Sequence, residues 1–280
     1  MVLRNMKISD FAKRVWPLLL LRRAIHATQY FNYRYFQIMK WLFTSNEDTN
    51  YTYPILPGNE ICLAQAISVV TGENVTQVLD YISEIKHDQQ LKDEILGSIA
   101  NSPFRHVTDR RVDFAKRMGW YAVARITKPK VVIETGVDKG LGSVVLCSAL
   151  IRNRDEGFPG RYFGTDLNPK AGFLLNERLR QVGEILYGDS IESLSSFTAP
   201  IDLFINDSDH SSEYEYAEYC TIKDRMSMSG IILGDNSHVT DELSRFSQES
   251  GLNYIFWREV PHKHWYPGGG IGFSFPRKQI

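Results

Sequence analysis

Lys130-Val-Val-Ile-Glu-Thr-Gly-Val-Asp-Lys-Gly-Leu-Gly-Ser143 is the stretch on which the reading of this chain turns. Three β-branched residues, Val131, Val132 and Ile133, run into an acid, Glu134. Gly136, Gly140 and Gly142 punctuate the turn that follows, and residues 144–151 are apolar and helix-compatible. A buried parallel strand that feeds a helix through a glycine-rich loop builds a nucleotide-type pocket at the strand's carboxyl end. Glycine suits such a loop because the backbone turns sharply there and a ligand approaches it without meeting a Cβ. The same pattern also serves a plain tight turn, so its meaning depends on what surrounds it.

Downstream, strand and helix patterns alternate. A loop with Asn153, Gly157, Pro159 and Gly160 leads to a predicted strand at 162–165 that ends in Asp166. A helix over 171–182 leads to a strand at 184–187, closed by Gly188, Asp189 and Ser190. Pro200 precedes a strand at 201–206 that ends in Asp207-Ser208-Asp209-His210. A long helix over 212–228 follows, then a strand at 230–234 ending in Asp235 and Asn236. A helix over 241–249 precedes a strand at 253–257, and the chain returns as a strand over 271–275. This alternation predicts an α/β fold with a doubly wound, Rossmann-like parallel sheet. The last return has no helix, which makes the final strand antiparallel.

Successive strands thus end in Glu134, Asp166, Asp189, Asp207 with Asp209, and Asp235 with Asn236. One such carboxylate commonly caps the next helix. A whole set of like charges at one sheet edge repels unless a ligand or cation uses it.

The order Glu-Thr-Gly-x-x-x-Gly-x-Gly-Ser, Gly-Thr-Asp, Gly-Asp-Ser, Ile-Asp-Leu-Phe-Ile-Asn-Asp-Ser-Asp-His and Leu-Gly-Asp-Asn resembles class I S-adenosylmethionine-dependent methyltransferases. More narrowly it is similar to the metal-dependent small-molecule O-methyltransferases, with the layout of catechol O-methyltransferase and the Asp-x-Asp-His stretch of the macrocin/novobiocin O-methyltransferase-like group. The resemblance covers about residues 109–276 and does not reach residues 1–100. It implies that Glu134, Gly136 and Gly140 hold the methionine part of the cofactor, with Ser143 opening the next helix. It places Asp166 on the ribose hydroxyls, Leu167 against the adenine, and Asp189 with Ser190 at the adenine edge. Asp207, Asp235 and Asn236 match the metal ligands. Their two carboxylates and one amide oxygen form a hard, all-oxygen set suited to Mg²⁺ or Mn²⁺.

A divalent ion would lower the pKa of an acceptor hydroxyl, and a nearby base would take its proton. Asp209 is the first choice for that base, His210 the second and His238 the third. His262 and His264, near Trp265, either line a substrate entrance or are simply solvated. Two departures stand out. Ser208 replaces a usual glycine, and Asn206 introduces a polar group at a buried strand end that needs a partner. Asp138 and Lys139 receive no role beyond a solvated charge pair.

Upstream, residues 1–45 carry Arg4, Lys7, Lys13, Arg14, Arg22, Arg23, Arg34 and Lys40 against a single acid, Asp10. Tyr30, Phe31, Tyr33, Tyr35, Phe36, Trp41 and Phe43 crowd the same segment. The spacing Phe11, Val15, Leu18, Ile25 predicts a helix. It reads as an arm that packs on the catalytic domain or forms a homodimer, in preference to a peripheral contact with an anionic membrane. Residues 46–58 read as a polar, Pro/Gly-broken linker, 59–108 as a helical subdomain, and 109–280 as the catalytic domain, opening with a helix over 109–126.

A formal net charge of −1 gives no global reason to expect nucleic acid. Cys62, Cys147 and Cys220 are scattered, as core thiols of a reducing compartment are, and form neither a disulfide frame nor a zinc site. The leucine run 18–21 is too short to span a membrane and lacks a cleavage pattern, so a cytoplasmic location is expected.

The expected activity is metal-dependent O-methylation of a small-molecule hydroxyl, such as a natural-product intermediate. A hydroxylase-type or binding-only relative of the same fold, and a dinucleotide-dependent oxidoreductase, are the alternatives. The oxidoreductase lacks a clean GxGxxG and leaves the metal-type trio unexplained.

Overall fold

The computed structural model describes residues 15–49 and 52–277. They divide into two compact units, one comprising residues up to Ser45 with Lys263–Tyr266, the other Asn46–His262 with the segment from Pro267.

The smaller unit is built on α1 (Trp16–Thr44), which has Pro17 in its first turn and no acidic residue. Within this unit Trp41 packs on Trp265, ring centroids 5.3 Å apart. Trp16, Leu21, Phe31, Tyr35, Phe36 and Phe43 are exposed along α1. Phe11, the first position of the helical spacing, and the charges of Arg4, Lys7, Asp10, Lys13 and Arg14 lie outside the described residues. No described helix is long and apolar enough to cross a membrane.

The larger unit opens with Tyr53 and Ile55, both buried. Ile55 bridges Pro261 before Pro57 starts α2 (Pro57–Thr71). α3 (Val75–Lys86) and α4 (Gln89–Ala100) begin at side-chain caps: Asn74 accepts from the Thr76 amide and Asp88 from the Leu91 amide. Each cap satisfies one of the amides that a helix start leaves orphaned.

The helix expected over 109–126 is shorter. α5 (Arg117–Thr127) starts only after Ala115, whose φ of 49° lies outside the helical region. Just upstream, the Thr108 hydroxyl donates to the Phe104 carbonyl and competes with helical pairing.

The sheet order is β3-β2-β1-β4-β5-β7-β6. Its strands are β1 (Val131–Thr135), β2 (Arg161–Asp166), β3 (Gly183–Tyr187), β4 (Ile201–Asn206), β5 (Met226–Asp235), β6 (Asn253–Arg258) and β7 (Gly270–Phe275). β1 to β5 pair in parallel, and β7 is antiparallel to both β5 and β6. The sheet is therefore doubly wound with an antiparallel last strand, as expected. Its topological switch lies between β1 and β4, where open α/β sheets form a crevice.

The crossover elements are α6 (Leu141–Asp155), α7 (Glu177–Arg180), α8 (Ser190–Ser196), α9 (Ser212–Ile222) and α10 (Glu242–Glu249). Two of them are shorter than predicted. Gly172, at φ 72°, and the cap Asn176 confine the expected 171–182 helix to α7. α9 stops at Ile222 because Met226 already pairs with Ile201, which extends β5 upstream of 230. Ile133, Phe204, Tyr219, Ile232 and Phe246 pack as a core between sheet and helices.

The carboxyl edge is closely built at Gly136, φ 79°. A Cβ there would lie 2.0 Å from the Asp207 carbonyl oxygen. The loop after β1 thus crosses directly over the end of β4, which only glycine permits. Gly136→Ala is expected to lower unfolding stability by more than about 2 kcal/mol, measured by urea denaturation.

Candidate active site

The first acid of the edge lies beneath the glycine loop. Glu134 is 1% exposed and receives hydrogen bonds from the Tyr162 hydroxyl and, at 3.2 Å, from Ser143 Oγ. A Cβ on Gly142 would strike Glu134 Oε1 at 2.0 Å and Trp120 at 2.7 Å. Glu134 and Ser143 therefore brace the loop from below and do not open onto the crevice. Burial pushes the Glu134 carboxyl up to about 7, against the lowering effect of the Tyr162 hydrogen bond. Gly140, at φ 97°, forms the N-terminal boundary of α6.

At the end of β2, Asp166 Oδ2 accepts the Asp138 amide at 2.9 Å and Oδ1 the Asn168 amide at 2.7 Å. Asp166 is partly exposed, and Leu167 beside it is 75% exposed. Lys139 bonds Asp48 at 3.2 Å, so it forms no pair with Asp138 alone.

At the end of β3, Asp189 caps α8 by accepting the Glu192 amide at 3.0 Å, and it also accepts from the Tyr214 hydroxyl at 2.8 Å. The Glu192 amide bond comes first in holding the Asp189 carboxyl below its ordinary range. Ser190 is buried and donates to Glu218.

Glu218, on α9, was not anticipated from sequence, and it resolves the two departures noted there. It accepts hydrogen bonds from Asn206 Nδ2, from Ser208 Oγ at 2.8 Å and from Thr135 Oγ1 at 3.1 Å. Asn206 Oδ1 in turn accepts from the Tyr219 hydroxyl at 3.1 Å. One buried acid thus ties together the ends of β1 and β4 and the start of α8.

Asp207, His210 and Asp235 converge, each offering an atom within 4.8 Å of the others. His210 Nε2 lies 3.9 Å from Asp207 Oδ1, while Nδ1 is 3.0 Å from Glu215 Oε1. Glu215 is fully buried and also accepts from Thr240 Oγ1, so its position is fixed. Its hydrogen bond to His210 raises the imidazole pKa above the ordinary value, against burial. Asp209 faces elsewhere. It is exposed, and its carboxylate accepts the Ser211 amide at 3.1 Å and the Ser211 hydroxyl at 3.3 Å. His238 is exposed and stacks beside Phe256, centroids 5.3 Å apart.

The remaining members of the expected ligand trio have an unforeseen partner. Lys116 Nζ donates to Asp235 Oδ2 at 2.7 Å and to Asn236 Oδ1 at 2.9 Å. Glu259 Oε1 lies 4.0 Å from the same nitrogen. Burial opposes the charge on Lys116, but Asp235, Glu259 and Asp207 together hold its pKa above the ordinary value. Burial also raises the pKa of Asp235, which Lys116 and Asp207 outweigh, leaving it lowered. Asp207 lies well above the usual range through burial and its proximity to Asp235.

The sequence of residues 133–237 matches a family profile described as "Methyltransferase domain". The protein carries a methyltransferase domain. No curated protein sequence matches the chain. The fold of this methyltransferase is similar to that of the O-methyltransferase TomG from Streptomyces achromogenes, involved in tomaymycin synthesis and solved with SAM. That likeness has a TM-score of 0.52 and 15% identity, covering 71% of this chain and 94% of TomG. It is also similar to an O-methyltransferase from Bacillus cereus solved with SAH, at a TM-score of 0.50 and 14% identity, covering 71% of this chain and 96% of that one.

The acids of the methyltransferase edge differ in how they couple to pH. The Glu134 pKa rises from 4.5 to about 7 on folding, so the folded state keeps a proton that the unfolded chain releases. Stability from this group is full below about pH 4.5 and is lost as pH rises to 7, by roughly 3 kcal/mol. Glu134→Gln should remove that loss, and the melting temperature of the variant relative to wild type should climb between pH 5 and 8. A constant difference across this range would show that Glu134 does not titrate there.

Proposed function

We propose that the protein is an S-adenosylmethionine-dependent O-methyltransferase that acts on a hydroxyl of a small molecule, with His210 as general base. The observation that carries this reading is the Glu215–His210 pair beside Asp207. A fixed buried carboxylate orients the imidazole so that Nε2 faces the carboxyl edge of the sheet. General bases are commonly built this way, because the second nitrogen sets tautomer and ring orientation.

The residues present fit the cofactor. Gly136 and Gly140 keep side chains off the loop backbone at the switch between β1 and β4. Asp166 is held by two backbone amides and remains partly exposed, and Leu167 offers an open apolar surface beside it. These two are assigned to the ribose and the adenine. Glu134 and Ser143 shape the loop from beneath, and Asp189 and Ser190 fix the start of α8 at the adenine edge. The bound SAM and SAH of the two similar structures support the same choice.

When bound, S-adenosylmethionine would supply an electrophilic sulfonium methyl group, with the thioether sulfur as leaving group keeping the carbon–sulfur electron pair. His210 Nε2 takes the hydroxyl proton as the acceptor oxygen bonds to carbon. Burial of Asp235 keeps water from its side of the edge and strengthens the charge interactions there. TomG's part in tomaymycin synthesis supports an acceptor of natural-product type.

The donor set expected from sequence for a divalent metal is already partly engaged, although Asp235 Oδ1, beside Asp207 and His210, is buried without a hydrogen-bond partner among the described residues. Two of its three oxygen ligands, Asp235 Oδ2 and Asn236 Oδ1, already hold the Lys116 ammonium. No step is therefore assigned to Mg²⁺ or Mn²⁺. The exposed apolar residues of α1 agree with the expected dimer arm, for which size measurement on a chain lacking residues 1–45 is the test.

Calorimetry should detect S-adenosylmethionine binding, weakened by about tenfold or more in Asp166→Ala. With labelled cofactor and an extract that supports turnover, His210→Asn should cut the rate about 100-fold at unchanged cofactor affinity. Asp209→Asn should change it by less than about twofold, since its carboxylate only organises the start of α9. The reverse ranking would make Asp209 the base.

A further inference from the structure

Lys116 is a fully buried cation in the larger unit, placed with some strain. Ala115 adopts φ 49°, a left-handed conformation that costs a non-glycine residue about 1 kcal/mol or more. That turn sets Lys116 at the N-terminal boundary of α5. An ammonium at a helix N-terminus gains nothing from the helix dipole, which favours anions there. Its side chain, 5% exposed, has instead turned inward to carboxylates.

On the other side, Asn236 has φ 51°, also left-handed, and presents its amide oxygen to the same nitrogen. Two strained backbone positions, 121 residues apart (236 − 115), thus serve one cation. Glu259, fully buried, stands behind it and is fixed by the Tyr53 hydroxyl and the Gly269 amide, each at 2.8 Å.

We infer that the Lys116 ammonium is the resident cation of the methyl-transfer site, occupying two of the ligand oxygens, Asp235 Oδ2 and Asn236 Oδ1, that would otherwise hold a divalent ion. The inference rests on the methyltransferase reading of this site. A charge fixed in a dry site stabilises a developing alkoxide or phenolate at the Asp207–Asp235 edge with no metal loading step. A dication brought onto the same oxygens would face the ammonium within a few ångströms, a repulsion that excludes it in a low-dielectric site. Lys116 acts through Asp235 and Asn236 and is a positioning and charge-supplying residue.

The consequence is a latent metal site. Removing the ammonium frees Asp235 Oδ2 and Asn236 Oδ1 next to Asp207, an oxygen set that suits Mn²⁺. Mn²⁺ titrations followed by electron paramagnetic resonance test this without any methyl acceptor, and so separate it from the proposed reaction. Wild type should bind Mn²⁺ only weakly. Lys116→Met should bind one Mn²⁺ more than about tenfold tighter, and adding Asp235→Asn should abolish the gain.

In turnover assays, excess EDTA should leave wild type unaffected. Lys116→Met should lose about 100-fold and recover in Mg²⁺ or Mn²⁺, a rescue that a merely structural lysine would not show. Tight wild-type binding of Mn²⁺ that Asp235→Asn removes would overturn the inference, as would a folded Lys116→Met that gains no Mn²⁺ site. Should Lys116→Met not fold, Lys116→Gln takes its place and the wild-type titration decides by the same criteria.

Discussion

Acids gathered at one edge of a sheet have to be compensated where they stand, and the rest of this structure follows from how that is done. Each buried carboxyl has its own solution. Glu134 receives two hydroxyls, and Glu218 collects Asn206 and three hydroxyls. Glu215 holds an imidazole and a threonine, and Asp235 an ammonium. Burial drives the Glu134 and Glu218 carboxyls up to about 7, so neutral hydrogen-bonding partners suffice for them. Asp235 lies below its ordinary value because a cation is fixed beside it. The environment thus sorts chemically similar groups into braces, an orienting residue and a charge pair.

The strands were legible because a parallel sheet buried on both faces needs continuous apolar runs, and 131–133, 203–205 and 231–233 are such runs. The glycine loop was legible for the same kind of reason, since its turn and the close approach of Asp207 leave few other residues possible. Less of the site could be read. Lys116 meets Asp235 across 119 residues of sequence, and neither local spacing nor resemblance joins them. The signal available was a charged pair, Lys116-Arg117, standing in an otherwise apolar run from Phe114 to Ala124. Glu215 and Glu218 carried another: acids three apart share one helical face, and here that face packs on the sheet.

The helix boundaries missed for a different physical reason. Residues 109–126 have a helical pattern, but positive φ at Ala115 and the Thr108 hydroxyl bond end the regular backbone before Lys116. Local propensity favours continuing the helix, and the need to direct one side chain into the core overrides it. The same tension is visible at Asn236, where a left-handed residue follows directly on a strand. Strain of this kind persists when surrounding contacts over-determine it, and both positions adjoin the buried ion pair.

The edge consequently has two chemical characters. Toward β2 and β3 it is open: Asp166 is partly exposed, and Leu167 and Tyr187 are exposed, which suits a nucleoside that must enter and leave on each turnover. Toward β4 and β5 it is closed, with Asp235, Lys116 and Glu259 all buried. A cofactor contact in water contributes modestly and exchanges readily, whereas a charge in the dry half acts at low dielectric without solvent reorganisation. His210 lies partly exposed between these halves and is held by Glu215, which under the proposed function would let its proton leave to solvent. Under the proposed function, this gradient from wet to dry along one sheet edge would let a single row of acids bind at one end and react at the other.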